Sequence, residues 1–345
     1  MPNSFSSESE SKPSARPPEP VPPEPHTGAP RTSGVIKSLP PLRYPFDDHL
    51  SAHRNPYEQD IEDVISEWID DQYLFLSAAE REYYKKCRFG MITSCFYPNA
   101  NYQALAVGAR LTALLFIHDD YTDNFSPDEL RSFLLQSESI MAGHPMPHAD
   151  GDILHQFGLL REELQSLTTA GWMRRWNNDL NYFYEGMIIE RYFMHAANRY
   201  PSVQHYMFVR EHLIGMYIFQ DIVELYLPSP LPYAIVSHPY TRQLRQVASR
   251  IIAWCNDYYS AEKELNAGQT MNLVLAIKQE RQCGLEDAYA EAMRIHDEEI
   301  KKFMRLMNNA PDFGPCNKLF KEYAHNLQLM FKGNQLWHIS SGRYN

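Results

Sequence analysis

Apolar residues recur every three or four positions from Tyr57 to the C-terminus, in long segments that Pro, Gly or Asn interrupt. This spacing places the apolar side chains on one face of an α-helix. No run of alternating residues typical of a β-strand stands out, and no repeat of fixed period is found. The pattern therefore predicts one all-α domain over residues 42–345, with about ten to twelve helices.

The predicted helices follow the breaks in this pattern. They span residues 57–71, 78–96, 101–124, 127–142, 151–169, 172–200, 202–227, 239–265, 269–281, 284–308 and 316–335. Residues 105–117 and 213–227 are apolar on nearly all sides, so we expect them to be central helices that others surround.

The first 41 residues differ in composition from the rest of the chain. They hold 11 of the 24 prolines, many Ser and Glu residues and almost no large apolar ones. Such a segment cannot bury enough surface to offset the entropy lost on ordering, so residues 1–41 are predicted to be a disordered tail. The alternative, a polyproline ligand at Arg16–Pro25, stays open.

The balance of charges argues against a nucleic-acid partner. The chain has 32 Lys and Arg against 43 Asp and Glu, a net charge of −11, whereas binding a phosphate backbone needs a concentrated basic surface. The cysteines form no CxxC pair and the N-terminus lacks the apolar run of a secretory signal, so a reduced, cytoplasmic protein is expected. No transmembrane segment is predicted, because the stretch Leu111–Ile117 is far shorter than the roughly 18 residues of a membrane span.

Three carboxylates crowd the C-terminal end of one predicted central helix. Asp119 and Asp123 lie at i and i+4, on one face, and Asp120 lies about 100° round the axis. The helix dipole is negative at this end, so the carboxylates are repelled by the dipole and by one another. A divalent cation would reverse that cost, and such ligands suit Mg²⁺ that shares its coordination with a substrate phosphate. A solvated acidic helix end is the alternative.

A second group of oxygen ligands lies far downstream. Asn256, Ser260 and Glu264 are at i, i+4 and i+8, so an amide, a hydroxyl and a carboxylate follow one stripe of a helix. Lys263 belongs to the same face and is within reach of an anion bound to the metal. A solvated surface helix would carry similar residues, but the two groups together favour a metal site.

These residues resemble the class I terpene synthases, of the microbial, fungal, single-domain type. The family's DDxxD and NSE motifs are matched by Asp119, Asp120 and Asp123, and by Asn256, Asp257, Ser260 and Glu264. Arg210, which lies 46 residues before Asn256, corresponds to the family's diphosphate-sensing arginine, and Arg343 with Tyr344 to its C-terminal Arg-Tyr pair. The resemblance implies a helical bundle around a central active-site cavity.

The resemblance also implies a role for each residue. The substrate would be an acyclic prenyl diphosphate, and three Mg²⁺ ions would assist the departure of pyrophosphate. The implied metal-binding residues are Asp119, Asp120, Asp123, Asn256, Ser260 and Glu264. The implied diphosphate-binding residues are Arg210, Lys263, Arg343 and Tyr344. The implied catalytic residues are Asp119, Arg210 and Tyr344.

One segment departs from the family pattern. Relatives often carry a small or polar residue three positions after the sensing arginine and a glycine-like residue four positions after it. Here Leu213 and Ile214 occupy those positions, and Gly215 follows. The residue that acts as effector after the sensor therefore stays unassigned.

Aromatic residues make up 13% of the chain, more than turns and surfaces need. A carbocation has to cyclise away from bulk water, and aromatic faces stabilise a cation without offering a nucleophile. The candidate lining residues are Phe89, Phe96, Phe116, Tyr217 and Trp337. Ordinary core packing is the alternative for each of them.

The expected substrate is farnesyl diphosphate and the expected product a sesquiterpene, since chain size and organisation resemble family members of that type. Geranyl diphosphate and a diterpene substrate are alternatives. A prenyl chain-elongation enzyme is less favoured, because no second DDxxD motif occurs in the sequence. A helical scaffold with a Pro-rich arm is the non-enzyme alternative, and a homodimer is left open.

Overall fold

The computed structural model describes residues 41–46, 54–145, 151–195 and 200–340. Residues 1–40 of the predicted tail lie outside these ranges, as do Arg343 and Tyr344. Within them the chain is α-helical and has no β-strand. The all-α prediction is confirmed, and all the described residues belong to one compact unit.

The helices are numbered here in chain order. They are α1 Glu58–Gln72, α2 Ala78–Lys86, α3 Phe89–Phe96, α4 Tyr102–Thr122, α5 Pro127–Ala142, α6 Ile153–Leu167, α7 Ala170–His195, α8 Val203–Leu213, α9 Met216–Ile222, α10 Tyr233–Val236, α11 Pro239–Asn266, α12 Leu273–Arg281, α13 Leu285–Asn308 and α14 Asn317–Ser340. Short 3₁₀ helices cover Val223–Tyr226 and Gly314–Cys316.

Two segments that the sequence predicts as single helices are divided in the structure. Residues 78–96 form α2 and α3, because Arg88 between them adopts a left-handed conformation with φ of 58°. Residues 202–227 form α8, α9 and a 3₁₀ turn, with the break at Gly215, whose φ is 66°. A glycine carries no Cβ penalty in the left-handed region, so Gly215 is suited to end α8 and redirect the chain.

Helix α4 is central, as its sequence predicts. Asn101 begins it by accepting a hydrogen bond from the backbone N–H of Ala104 at 2.9 Å, and most of its residues are buried. Helices α1, α3, α6 and α9 pack around it. Helix α11, with 28 residues the longest of the described helices, contacts α8, α12, α13 and α14.

Helix α7 connects the regions that carry the two acidic motifs. It packs along α8, and Gly186 allows the backbones to approach closely, since a Cβ there would lie 2.6 Å from the backbone nitrogen of Leu213. Along the described part of the chain, none of the helices combines the length and the apolarity needed to cross a lipid bilayer.

Candidate active site

The end of α4 presents the first acidic group at the protein surface. Asp119 and Asp123 are exposed and Asp120 is half-buried, whereas His118 beside them is fully buried. The hydroxyl of Tyr84, on α2, donates a hydrogen bond to Oδ2 of Asp120 at 3.0 Å. This contact fixes Asp120 and leaves Asp119 and Asp123 as the more accessible carboxylates.

Arg191 on α7 supports the same helix end. Its guanidinium donates to the backbone oxygen of Asp123 and, at 3.3 Å, to that of Phe125. A cation at a helix C-terminus offsets the negative end of the dipole, so Arg191 lowers the cost of placing carboxylates there. Sequence reasoning missed this residue, because one arginine in a long amphipathic helix carries no distinguishing signal.

The second group lies along α11, as predicted. Asn256 and Glu264 are half-buried and Ser260 is buried, while Lys263 is exposed. The amide oxygen of Asn256 accepts a hydrogen bond from Nη2 of Arg210 at 2.7 Å. An amide oxygen has two lone pairs, so this contact still leaves Asn256 an acceptor site.

Asp257 holds Arg210 in place. Its Oδ1 accepts from Nε of Arg210 at 3.0 Å, and its Oδ2 accepts from the hydroxyl of Tyr206 and from the backbone N–H of Leu273. Burial alone would lower the pKa of Arg210, but Asp257, Tyr206 and Glu264 outweigh it, so the pKa is raised and the guanidinium stays charged. The sequence marked Asp257 as part of a motif, yet gave no sign of Tyr206.

Residues of both motifs affect the carboxyl group of Glu190 on α7. Burial and then the charge of Asp119 raise the pKa of this half-buried carboxyl on α7 to about 8, and Glu264 adds to the effect. Arg210 and Arg191 act in the opposite direction. Charges on α4, α8 and α11 therefore act together on this one carboxyl group.

The carboxylate, amide and hydroxyl oxygens of the two motifs suit a hard divalent cation that is bound together with a phosphate ligand. Among the described residues, no three acidic, histidine or cysteine side chains converge closely enough to form a metal site by themselves. Magnesium usually takes only one or two protein carboxylates and completes its coordination with substrate phosphates and water. Burial, followed by the charge of Asp257, raises the pKa of Glu264, and a bound cation would relieve this cost.

Four of the five candidate aromatic residues lie near α4. The ring of Phe116, one turn before Asp119, lies 5.4 Å from Phe89 and 5.7 Å from Trp337 in edge-to-face geometry. Phe96 contacts Phe219 of α9 at 6.2 Å. Phe89, Phe96 and Trp337 are buried and Phe116 is half-buried.

Tyr217 does not join this group. Its hydroxyl donates to Glu211 at 2.9 Å, and the guanidinium of Arg245 lies 5.4 Å from the centre of its ring. The ring lines a polar cleft of about 980 Å³ that also contacts Arg175 and Glu224. The sequence could not separate Tyr217 from the cavity aromatics, because the break at Gly215 changes the face that α9 presents.

Comparisons with known proteins show what this chain resembles. Residues 110–302 match the family model described as terpene synthase family 2, C-terminal metal binding. The chain is 26% identical to the (+)-eremophilene synthase of Sorangium cellulosum over 325 residues, which cover 91% of this chain and 95% of that protein. It is 28% identical over 312 residues to a Roseiflexus castenholzii enzyme named (+)-T-muurolol synthase ((2E,6E)-farnesyl diphosphate cyclizing), covering 88% and 93%.

A solved structure supports the fold independently. The crystal structure of germacradien-4-ol synthase from Streptomyces citricolor matches with a TM-score of 0.74 at 23% identity, covering 87% of this chain and 98% of that chain. The terpene synthase family expected from the two motifs is thus confirmed, and the relatives that match include bacterial and fungal enzymes.

Proposed function

This chain belongs to terpene synthase family 2, and we propose on that basis that it is a class I cyclase that converts farnesyl diphosphate into a sesquiterpene. The observation that supports the proposal is a chain of contacts between the two motif regions: Phe116, one turn before Asp119, packs on Trp337 at 5.7 Å, and the next residue, His338, lies 3.4 Å from Asn256. The relatives named above make eremophilene and T-muurolol, and the second is named for cyclising farnesyl diphosphate.

The metal-binding residues we propose are those of the two motifs. Asp119 and Asp123 present exposed carboxylates, with Asp120 held by Tyr84 beside them. The NSE ligands are Asn256, Ser260 and Glu264. When bound, three Mg²⁺ ions would supply Lewis-acid charge to the diphosphate leaving group.

Cations of the chain itself bind the diphosphate in this proposal. Arg210 is held in the site by Asp257 with its Nη2 directed at Asn256, so its guanidinium is poised for charge-assisted hydrogen bonds to phosphate oxygens. Lys263 is exposed beside Glu264 and adds a second cation. Arg343 and Tyr344 remain predictions of the sequence, because they lie outside the described residues.

The aromatic cluster keeps water away from the reacting carbon chain. Phe116 joins the metal-binding end of α4 to the buried rings of Phe89 and Trp337, and Phe96 extends the apolar surface towards α9. Apolar walls favour cyclisation over capture by water, and ring faces stabilise positive charge.

The decisive experiment is incubation of the purified full chain with geranyl, farnesyl and geranylgeranyl diphosphates, with Mg²⁺ or with EDTA. We expect cyclic C15 volatiles by gas chromatography with mass detection, from farnesyl diphosphate and only with Mg²⁺. If the C10 or the C20 substrate gave most of the product, the protein would be a monoterpene or a diterpene synthase, and the sesquiterpene assignment would be wrong. Formation of prenyl diphosphates longer than the added substrate would indicate a chain-elongation enzyme.

A thermal-shift experiment separates a synthase from a helical scaffold. Pyrophosphate with Mg²⁺ should raise the melting temperature, because a ligand that binds only the folded state stabilises it. Absence of both a shift and turnover would contradict the proposal. The cytoplasmic location and the homodimer remain predictions of the sequence.

A further inference from the structure

Asn272 lies where α11 and α12 meet, and its side-chain amide is fully buried. Its Oδ1 accepts hydrogen bonds from the backbone N–H groups of Val274 at 2.8 Å and Leu275 at 3.4 Å, so it caps the start of α12. Its position in the sequence, eight residues after Glu264, predicts none of the contacts that its nitrogen makes.

The amide nitrogen of Asn272 faces the NSE residues. It donates to Oε2 of Glu264 at 2.8 Å and to the backbone oxygen of Asp257 at 2.9 Å, with a longer contact of 3.3 Å to Oγ of Ser260. Every neighbour of Oδ1 is a donor and every neighbour of Nδ2 is an acceptor. Only one orientation of the amide is therefore compatible with its surroundings.

This arrangement restrains two ligands at once. The Glu264 side chain is half-buried near the end of α11, and a free carboxylate there would sample several rotamers. The hydrogen bond from Asn272 holds Oε2 of Glu264 in one position, and the contact with Oγ of Ser260 orients that hydroxyl beside it. Because the same amide caps α12, the ligand positions are tied to the packing of α12 against α11.

We propose that Asn272 is a positioning residue that pre-organises Ser260 and Glu264 for the metal, an inference that rests on the proposed function. Residues behind metal ligands commonly change metal affinity by about 10- to 100-fold when mutated. Asn272 acts through the ligands and has no assigned contact with the substrate.

The test has to separate this role from helix capping. Asn272→Ser keeps a capping oxygen and adds no charge, but its short side chain cannot span to Glu264. Asn272→Ala removes both the cap and the donors. Asn101→Ser makes the same exchange at the N-cap of α4, where the amide oxygen accepts from Ala104, and is the matched control.

The measurement is the Mg²⁺ concentration that gives half of the melting-temperature shift in the presence of pyrophosphate, with KM for Mg²⁺ and kcat measured alongside. We expect Asn272→Ser and Asn272→Ala to need at least about ten-fold more Mg²⁺, and Asn101→Ser to match the wild type. Without ligand, both Asn272 variants should melt below the wild type, because both leave the backbone oxygen of Asp257 without its donor, and Asn272→Ala should melt lowest because it also loses the cap.

Two results would overturn the inference. One is an unchanged Mg²⁺ requirement in Asn272→Ser, which would make Asn272 a helix cap alone. The other is an equal loss in Asn101→Ser, which would show a general effect of capping. If the Ser variant does not unfold cooperatively, Asn272→Thr, also neutral and able to cap, replaces it. A wild type that lacks any Mg²⁺-dependent shift and turnover would instead contradict the proposed function.

Discussion

Asp119 and Glu264 are the carboxylates on which the proposed chemistry most depends, one in each motif. We predict that Asp119→Ala and Glu264→Ala each lower kcat by about 100-fold or more, since metal-ion charge stabilisation contributes several kcal/mol. The fold should persist, because Asp119 is exposed and Glu264 half-buried at the rim of the site. Steady-state turnover and circular dichroism of the purified variants check both statements.

The matched control is another acidic residue on a helix surface. Glu286→Ala, in the first turn of α13, should leave turnover unchanged. Near-wild-type activity in either motif variant would remove that residue from the metal site.

His118 precedes the acidic motif in the sequence, but its side chain packs in the core. It is fully buried among aromatic rings, including Phe133 and Tyr184, and among the described residues neither of its ring nitrogens has a hydrogen-bond partner. Burial lowers the pKa of His118 to about 3. The imidazole is therefore neutral in the folded protein, in agreement with a packing role.

This burial makes stability depend on pH. Between the unfolded pKa of about 6.5 and the folded value of about 3, the unfolded chain binds a proton that the folded one does not. The stability that the neutral, packed His118 side chain contributes is thus complete above about pH 6.5 and is lost progressively as the pH falls towards 3. From pH 7.5 to pH 5, the wild type should lose about 2 kcal/mol more unfolding free energy than His118→Phe. Urea unfolding at the two pH values measures this difference, and equal losses would mean that the folded protein protonates His118.

At the scale of elements, the crossing of α7 and α8 positions the sensing arginine. Arg210 lies in the last turn of α8, and the helix ends where Gly186 of α7 contacts its backbone. A Cβ at Gly186 would meet Leu213 and His212 backbone atoms at 2.6 to 3.0 Å. Backbone cannot move aside as a flexible side chain can, so α8 would have to shift.

We predict that Gly186→Ala lowers stability by about 1–3 kcal/mol, the usual cost of overpacking, and also reduces kcat by displacing Arg210. Gly158→Ala on α6 is the control, since its Cβ would have only Ile140 nearby, at 3.9 Å. The unfolding free energy of that variant should equal that of the wild type or exceed it by up to about 1 kcal/mol. Equal behaviour of the two variants in thermal melts and turnover would argue against the close contact.

At the scale of the whole molecule, residues 42–46 pack against the last helix, α14. Leu42 is buried and its backbone oxygen accepts from Nε2 of Gln335 on α14 at 2.6 Å. Tyr44 and Phe46 stack at 5.5 Å and lie near Phe331 of the same helix. Leu42, Tyr44 and Phe46 are thus part of the packed core.

We predict that a chain beginning at Pro40 keeps full kcat and melting temperature, because the site residues and the contacts of Leu42 are all retained. Leu42→Ala in the full chain should instead cost about 2–5 kcal/mol of stability, as for other buried leucines. Loss of turnover in the shortened protein would assign residues 1–39 a role in catalysis.

The sequence by itself determined the helical architecture and the faces of both motifs. Periodicity predicted α4 and α11 to within a few residues, and the i, i+4 spacing of Asn256 and Ser260 settled that they share a face. These are local properties, because one turn of helix fixes which side chains lie together.

Only the tertiary structure decided what surrounds those motifs. The left-handed residues Arg88 and Gly215 divide helices that are continuous in the apolar pattern, and the second break carries Tyr217 into the polar cleft. The bonds of Asp257 to Tyr206 and of Asn272 to Glu264 arise from packing between helices. A one-dimensional pattern records which face of a helix is apolar, but the partner of a buried polar group depends on which helix is packed against it.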